Sequence, residues 1–295
     1  MSDYLLSLVL GIVEGITEFL PVSSTAHIRI TQALMGISLD DGYWKMYSVV
    51  IQLGAILSVL VYFRGRIIEF LKSFPKGKNG DRTLLTHPLT LTLIAFVVTA
   101  GPAWALKKAI DKNLENLWVI GTSLMVGGVV MWAVDVICRK PRTLNMEQMS
   151  MPQAIWVGAV QVLSAVFPGT SRSMATIAAG QTAGMSREAA LEFSFFLCIP
   201  TMIAATGKEL HDTLKESSQA ATQAAATPTT AHHALHLSAH QWSVLALGFI
   251  VSFFVAWAVI AWFMHWVRKH GFIPFAIYRL AMGLYALVLA QRLAR

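Results

Sequence analysis

Charge is scarce in this chain. Only 13% of its residues are Asp, Glu, Lys or Arg, against about 25% in soluble domains, while 55% are hydrophobic and the mean hydropathy is +0.58. That deficit excludes an ordinary soluble domain and indicates a single integral membrane domain over residues 1–295. Cysteine is scarcer still. Cys138 near a membrane edge and Cys198 inside an apolar run give neither a disulfide framework nor a zinc spacing. The N-terminus carries Asp3 and no basic stretch, so a cleaved signal peptide is not expected. The net charge is +7, yet the basic residues lie mostly between apolar runs. They read as topology determinants, and no nucleic-acid partner is expected.

Six apolar runs are long enough to span a bilayer, at about 45–63, 87–106, 117–137, 188–206, 241–266 and 272–291. Two more segments, about 4–36 and 152–184, are apolar but broken at Pro21 and at Pro168-Gly169, into halves too short to cross. They predict re-entrant helix pairs, because broken backbone is tolerated at membrane depth only around protein or a water-filled cavity. The expected fold is thus all-α, six spanning helices plus two re-entrant pairs. The loops on one side carry twelve Lys and Arg, six of them in 64–86, against eight on the other. The richer side is expected to be cytoplasmic, with both termini outside. Arg29, Arg172 and Arg279 fall within embedded segments. Residues 208–240 read as a polar, flexible extracytoplasmic loop with room for a helical portion. Its His232, His233, His236 and His240 are read as solvated rather than as a metal cluster.

The broken segments carry the chemistry. In the run 11–27, GIVEGITEFLPVSSTAH, Glu14 and Glu18 share one helix face, Pro21 stops the helix, and Ser23, Ser24 and Thr25 offer a cap for the next. His27 follows in its first turn. Ionisable groups at membrane depth are costly and usually face a functional cavity. An offset of 147 lays residues 11–24 over 158–171, pairing Gly11 with Gly158, Glu14 with Gln161, Pro21 with Pro168, Ser23 with Thr170 and Ser24 with Ser171. On the same offset Glu18 meets Ala165, Thr25 meets Arg172 and His27 meets Met174. Three spans separate the copies, which predicts an inverted-topology repeat, 1–137 and 152–292, with its site near mid-membrane.

Two helix N-termini at such breaks make an anion site. Arg172 adds a forked donor for phosphate oxygens, with Gly169, Thr170, Ser171, Ser173, Ser23 and Thr25 around it. Glu14 and Glu18 offer oxygen ligands to a divalent cation, Mg or Ca. Ser24 or Ser23 is the candidate nucleophile, and His27 the base or leaving-group acid. Blander readings stand beside these: a satisfied core histidine, a snorkelling Arg172, hydroxyls that only cap, and structural Gln52 and Gln161. Arg279 is either a second phosphate ligand or an anchor. Trp44, Trp118 and Trp242 are expected to be interfacial anchors.

The motifs EGITEFLPVSSTAH and FPGTSRS, with FIPFAIYR near the C-terminus, resemble the undecaprenyl-diphosphate phosphatase family, also called bacitracin-resistance proteins. The likeness spans essentially the whole chain, although 208–240 is longer than the family usual. It implies a bacterial cytoplasmic-membrane enzyme that takes the terminal phosphate from undecaprenyl diphosphate, recycling the lipid carrier for peptidoglycan. It also implies a metal-dependent site on Glu14 to Glu18 and Pro168 to Ser173, with Ser24, His27 and Arg172. The expected mechanism has Glu14 and Glu18 holding the cation while Ser24, assisted by His27, attacks phosphorus in a site open to the extracytoplasmic side. A transporter or flippase of a phosphorylated prenyl lipid is the rival reading. Monomer and homo-oligomer are both left open.

Overall fold

A computed structural model describes residues 2–38, 41–113, 116–226 and 238–293. In chain order the helices are α1 (Asp3–Thr17), α2 (Ser24–Leu34), α3 (Gly42–Tyr62), α4 (Arg64–Ser73), α5 (Pro88–Ala105), α6 (Lys107–Asn113), α7 (Leu117–Ile137), α8 (Met151–Val166), α9 (Arg172–Thr182), α10 (Arg187–Ala226), α11 (Ala239–Lys269) and α12 (Ile273–Leu293). Among the described residues there is no strand. Six helices among the described residues are long and apolar enough to cross a membrane: α3, α5, α7, the Arg187–Lys208 part of α10, α11 and α12. Each begins and ends within a turn of its expected position. Their starts are set by side-chain caps. Asp41 accepts the Trp44 N–H at 3.0 Å, Asn116 accepts from Trp118 and Val119, and Ser238 with Gln241 forms a capping box.

The two broken segments fold as helix–turn–helix pairs, α1/α2 and α8/α9. Residues 208–226 extend α10 as helix, taking up the helical portion for which the polar stretch 208–240 left room. Ala, Glu, Gln and Lys dominate that stretch, and their helix propensity carries a helix already nucleated in the preceding span. His232, His233 and His236 lie outside the described residues. His240 opens α11, pairs with Asp3 Oδ2 at 2.9 Å and meets the Tyr4 ring edge-on, which ties α11 to the start of α1.

Small residues let the helices close up, as is usual where packing rather than hydrophobicity drives association. A Cβ on Gly128 would lie 3.0 Å from the Ala276 carbonyl, and one on Gly121 3.1 Å from that of Gly283, so α7 and α12 pack backbone to backbone. Gly11 likewise faces the Gly248 carbonyl of α11, and Gly158 faces that of Ala95 on α5. Thus α1 lies on α11 while α8 lies on α5. A shared core of Phe19, Phe63, Phe195 and Phe196 joins the first break to α3 and α10.

The polar ends are stitched by ion pairs. Arg66 meets Glu147 at 2.6 Å and Glu192 at 2.9 Å. Burial would raise the Glu147 carboxyl, but the Arg66 hydrogen bond, a backbone hydrogen bond and the Arg66 and Arg82 charges together hold the group below the usual carboxylate range. Asp135, at the end of α7, accepts from Arg187 Nε at 2.7 Å and from the Phe272 N–H at 2.9 Å. A cavity of about 640 Å³ sits beside this network. Its charged lining is already paired, Arg66 with Glu147, Lys78 with Glu69 and Arg82 with Asp81, so it offers no free charge to a ligand.

Candidate active site

Each break is built around a serine in an unusual conformation. Ser23 has φ +76° and Ser171 φ +69°, in the left-handed region that residues with a Cβ rarely occupy and hold at a cost of about 1–3 kcal/mol. Each serine caps the next helix, Ser23 accepting the Ala26 N–H at 3.5 Å and Ser171 the Met174 N–H at 3.4 Å. The matching φ and matching cap make Ser23 and Ser171 equivalent. The constant offset of 147 is therefore corrected: it holds as far as Pro21 and Pro168, but the second turn is one residue longer. Beyond it Ser24 corresponds to Arg172, Thr25 to Ser173 and His27 to Ala175. The longer turn contains Gly169, whose φ is +96° and whose missing Cβ would strike the Ile120 backbone. Only glycine suits that position.

These turns bring the expected residues together. Glu18, just past the end of α1, is 7% exposed and holds both breaks at once. Its Oε2 accepts from Ser24 Oγ at 2.5 Å and its Oε1 from Arg172 Nη2 at 3.1 Å. Arg172 also donates through Nη1 to the Ser194 carbonyl of α10. Ser173 Oγ donates to the Leu20 carbonyl at 2.9 Å and lies 3.0 Å from Ser171 Oγ. Thr25 and Thr170 are half-buried beside the two caps. Gln161, the counterpart of Glu14, donates through Nε2 to Thr201 Oγ1 at 3.1 Å, while its Oε1 is buried without a partner.

Two assignments take a different form from the expectation. Ser24 points its hydroxyl at Glu18, where the sequence reading had paired it with His27. His27 instead has Nδ1 2.7 Å from the Ser23 carbonyl and Nε2 2.7 Å from the Tyr278 hydroxyl. Arg279, fully buried, spends its terminal nitrogens on backbone: Nη1 on the Pro21 carbonyl at 3.0 Å, Nη2 on Gly169 at 2.9 Å and Ser123 at 3.3 Å. In this arrangement it clasps one turn to the other rather than presenting a phosphate ligand. Gly127 of α7 leaves room for it, since a Cβ there would meet Arg279 Nη2. Tyr278 and Ser194 are partners the sequence reading missed. Tyr278 lies in the second turn of α12, and no local pattern in the sequence marks it as the partner of His27.

Glu14 is fully buried and neither carboxylate oxygen has a hydrogen-bond partner. Such an orphaned pair of hard oxygens suits a divalent cation. Both Glu18 oxygens are engaged, and among the described residues no group of three or more His, Cys, Asp or Glu could hold a metal alone. The donor set therefore suits a Mg-type ion that takes one or two carboxylates and fills its remaining positions with phosphate oxygens and water.

An acid bridging a serine and an arginine, with helix N-termini on two sides, has the chemistry to take up a phosphoryl group. Comparison with known proteins agrees. The chain is 58% identical over 293 residues to the undecaprenyl-diphosphatase of Koribacter versatilis, covering 99% of this chain and all of that one. It is 38% identical to undecaprenyl-diphosphatase 1 of Frankia alni, over 98% of this chain and 95% of the relative. To the undecaprenyl-diphosphatase of Caldanaerobacter subterraneus it is 37% identical, over 97% and 96%. Residues 7–285 match the family model described as bacitracin resistance protein BacA, and the chain belongs to that family.

Proposed function

We infer that the chain is an undecaprenyl-diphosphatase, a membrane hydrolase that cleaves undecaprenyl diphosphate to undecaprenyl phosphate and inorganic phosphate. The observation that carries the chemistry is Glu18, with Ser24 on one oxygen and Arg172 on the other. Glu18 takes the Ser24 proton as Oγ attacks the terminal phosphorus, the bond from that phosphorus to the bridging oxygen breaks and undecaprenyl phosphate leaves. Arg172 with the capped helix N-termini neutralises the charge that develops on the phosphoryl oxygens. Water then attacks the phosphoserine with His27 as its base, and Glu18 returns the proton to Ser24. A divalent cation, held through Glu14 and the diphosphate oxygens, would supply further charge neutralisation when bound.

The two helix pairs are proposed to be re-entrant and related as an inverted repeat. The crosswise packing of α1 on α11 and α8 on α5, each through an equivalent glycine, supports this. The matched serine caps support it independently. A bacterial inner-membrane location, a site open to the extracytoplasmic side and a role in recycling the carrier for peptidoglycan complete the reading. The lipid tail would stay in the bilayer. A transporter or flippase would need no serine nucleophile on a carboxylate, and the relatives' names do not favour one.

The test is phosphate release from a prenyl diphosphate in detergent, with and without chelator. Release that stops with EDTA and returns with Mg is expected. Lipid movement between leaflets with no phosphate released would sink the hydrolase reading. Arg172→Lys keeps a charge but loses the fork that meets Glu18 and the phosphate together, and kcat is expected to fall about 10²-fold. An unchanged rate would reduce Arg172 to a structural cation.

A further inference from the structure

The basic nitrogen of His27 does not face Ser24. Its Nδ1 lies 2.7 Å from the Ser23 carbonyl, which can only accept, so Nδ1 carries the proton and the lone pair of the neutral ring is on Nε2. Opposite that lone pair, at 2.7 Å, is the Tyr278 hydroxyl, the donor. The two rings lie nearly parallel, 11° apart, with centroids 5.5 Å apart. His27 is 8% exposed and Tyr278 42%. The phenol therefore occupies the one lone pair through which the neutral His27 ring can take up a proton. We propose that Tyr278 is a further catalytic residue, the link through which His27 takes a proton from the hydrolytic water.

The step rests on the phosphatase reading above. A water at the phosphoserine gives its proton to the phenol oxygen as the phenol proton passes to Nε2. The water oxygen bonds to phosphorus, the bond from phosphorus to Ser24 Oγ breaks, and Oγ takes back the proton held on Glu18. Tyr278 ends neutral and His27 ends as imidazolium, which returns its extra proton outward by the same route. If water attacks the diphosphate directly, the same relay serves. The backbone clamp on Nδ1 is what makes this route work, because it fixes the ring so that only Nε2 accepts. Arg279, the next residue of α12, locks Tyr278 in depth by its bonds to Pro21 and Gly169.

Tyr278→Phe keeps the ring that stacks on His27 and removes only the hydroxyl, so a packing role would survive it. Full-length protein in detergent, assayed on a prenyl diphosphate, is expected to lose about 10²-fold in kcat, with KM moved by no more than about threefold. In a cycle with His27→Gln, the two losses should not multiply, since the phenol acts through the imidazole. A Tyr278→Phe kcat within about threefold of wild type, or losses that multiply in the double variant, would overturn the relay while leaving wild-type hydrolysis in place. Wild-type protein that releases no phosphate would bring down the phosphatase reading and the relay with it.

Discussion

Glu18→Gln is expected to lower kcat by about 10³–10⁴-fold. The amide has nearly the shape of the carboxylate: its oxygen can still accept from Arg172 while its NH2 donates to Ser24 Oγ, so the geometry of both breaks should persist. It cannot take a proton from Ser24, and it no longer offsets the buried guanidinium. Removing one partner of a buried ion pair costs about 3–5 kcal/mol, and the Glu18 and Arg172 side chains are 5% and 10% exposed. The isosteric amide should soften that loss, so the activity change should far exceed any change in Tm. The measurement is phosphate release at saturating prenyl diphosphate beside a thermal melt of the same preparation. Activity within tenfold of wild type would mean that Glu18 only pairs with Arg172, leaving proton removal from Ser24 to another group.

The spans were legible because a run of about 20 apolar residues is a length measurement, insensitive to what the helix packs against. Glu18, Ser24 and Arg172 were legible for a related reason: polar groups stand out in a segment where nearly everything else is apolar. Their partners were less so. That Ser24 bonds Glu18 and not His27 depends on how a turn directs a hydroxyl, which the spacing Ser24 to His27 misrepresents. The one-residue slip between the repeats arose because both turns carry consecutive hydroxyl residues, so a gapless alignment scores two registers alike. Only the backbone at Ser23 and Ser171 separates them. Tyr278 was invisible because it meets His27 across 251 positions, and a tyrosine in a span reads by default as an anchor. Arg279 was correctly seen as embedded, but no local pattern tells an arginine that binds phosphate from one that binds three carbonyls. The extent of the helix at 208–226 was hidden by composition, since an Ala, Gln and Ser-rich stretch suits a solvated loop as well as a helix continued from a span.

Ser24→Ala is expected to remove turnover by a factor on the order of 10⁴–10⁶ while leaving the lipid bound. Ser24 is the first residue of α2, and the cap is the preceding Ser23, so alanine at this position disturbs neither the left-handed turn nor the helix start. Arg172 and both helix N-termini remain to hold the diphosphate, and the Kd for a prenyl diphosphate should change by no more than a few-fold. One cost is expected elsewhere. Glu18 Oε2 loses its donor in a buried place, a penalty of about 1–3 kcal/mol, which should appear as a lower Tm unless the oxygen is protonated or takes up water. Acid quenching of the wild type during turnover should leave phosphate on Ser24, and the same quench of the alanine variant should leave none. If Ser24→Ala instead retains activity within tenfold, water is the nucleophile and Ser24 only orients Glu18. The relay from His27 through Tyr278 would then serve the first chemical step, since it is the remaining route by which that water can lose a proton.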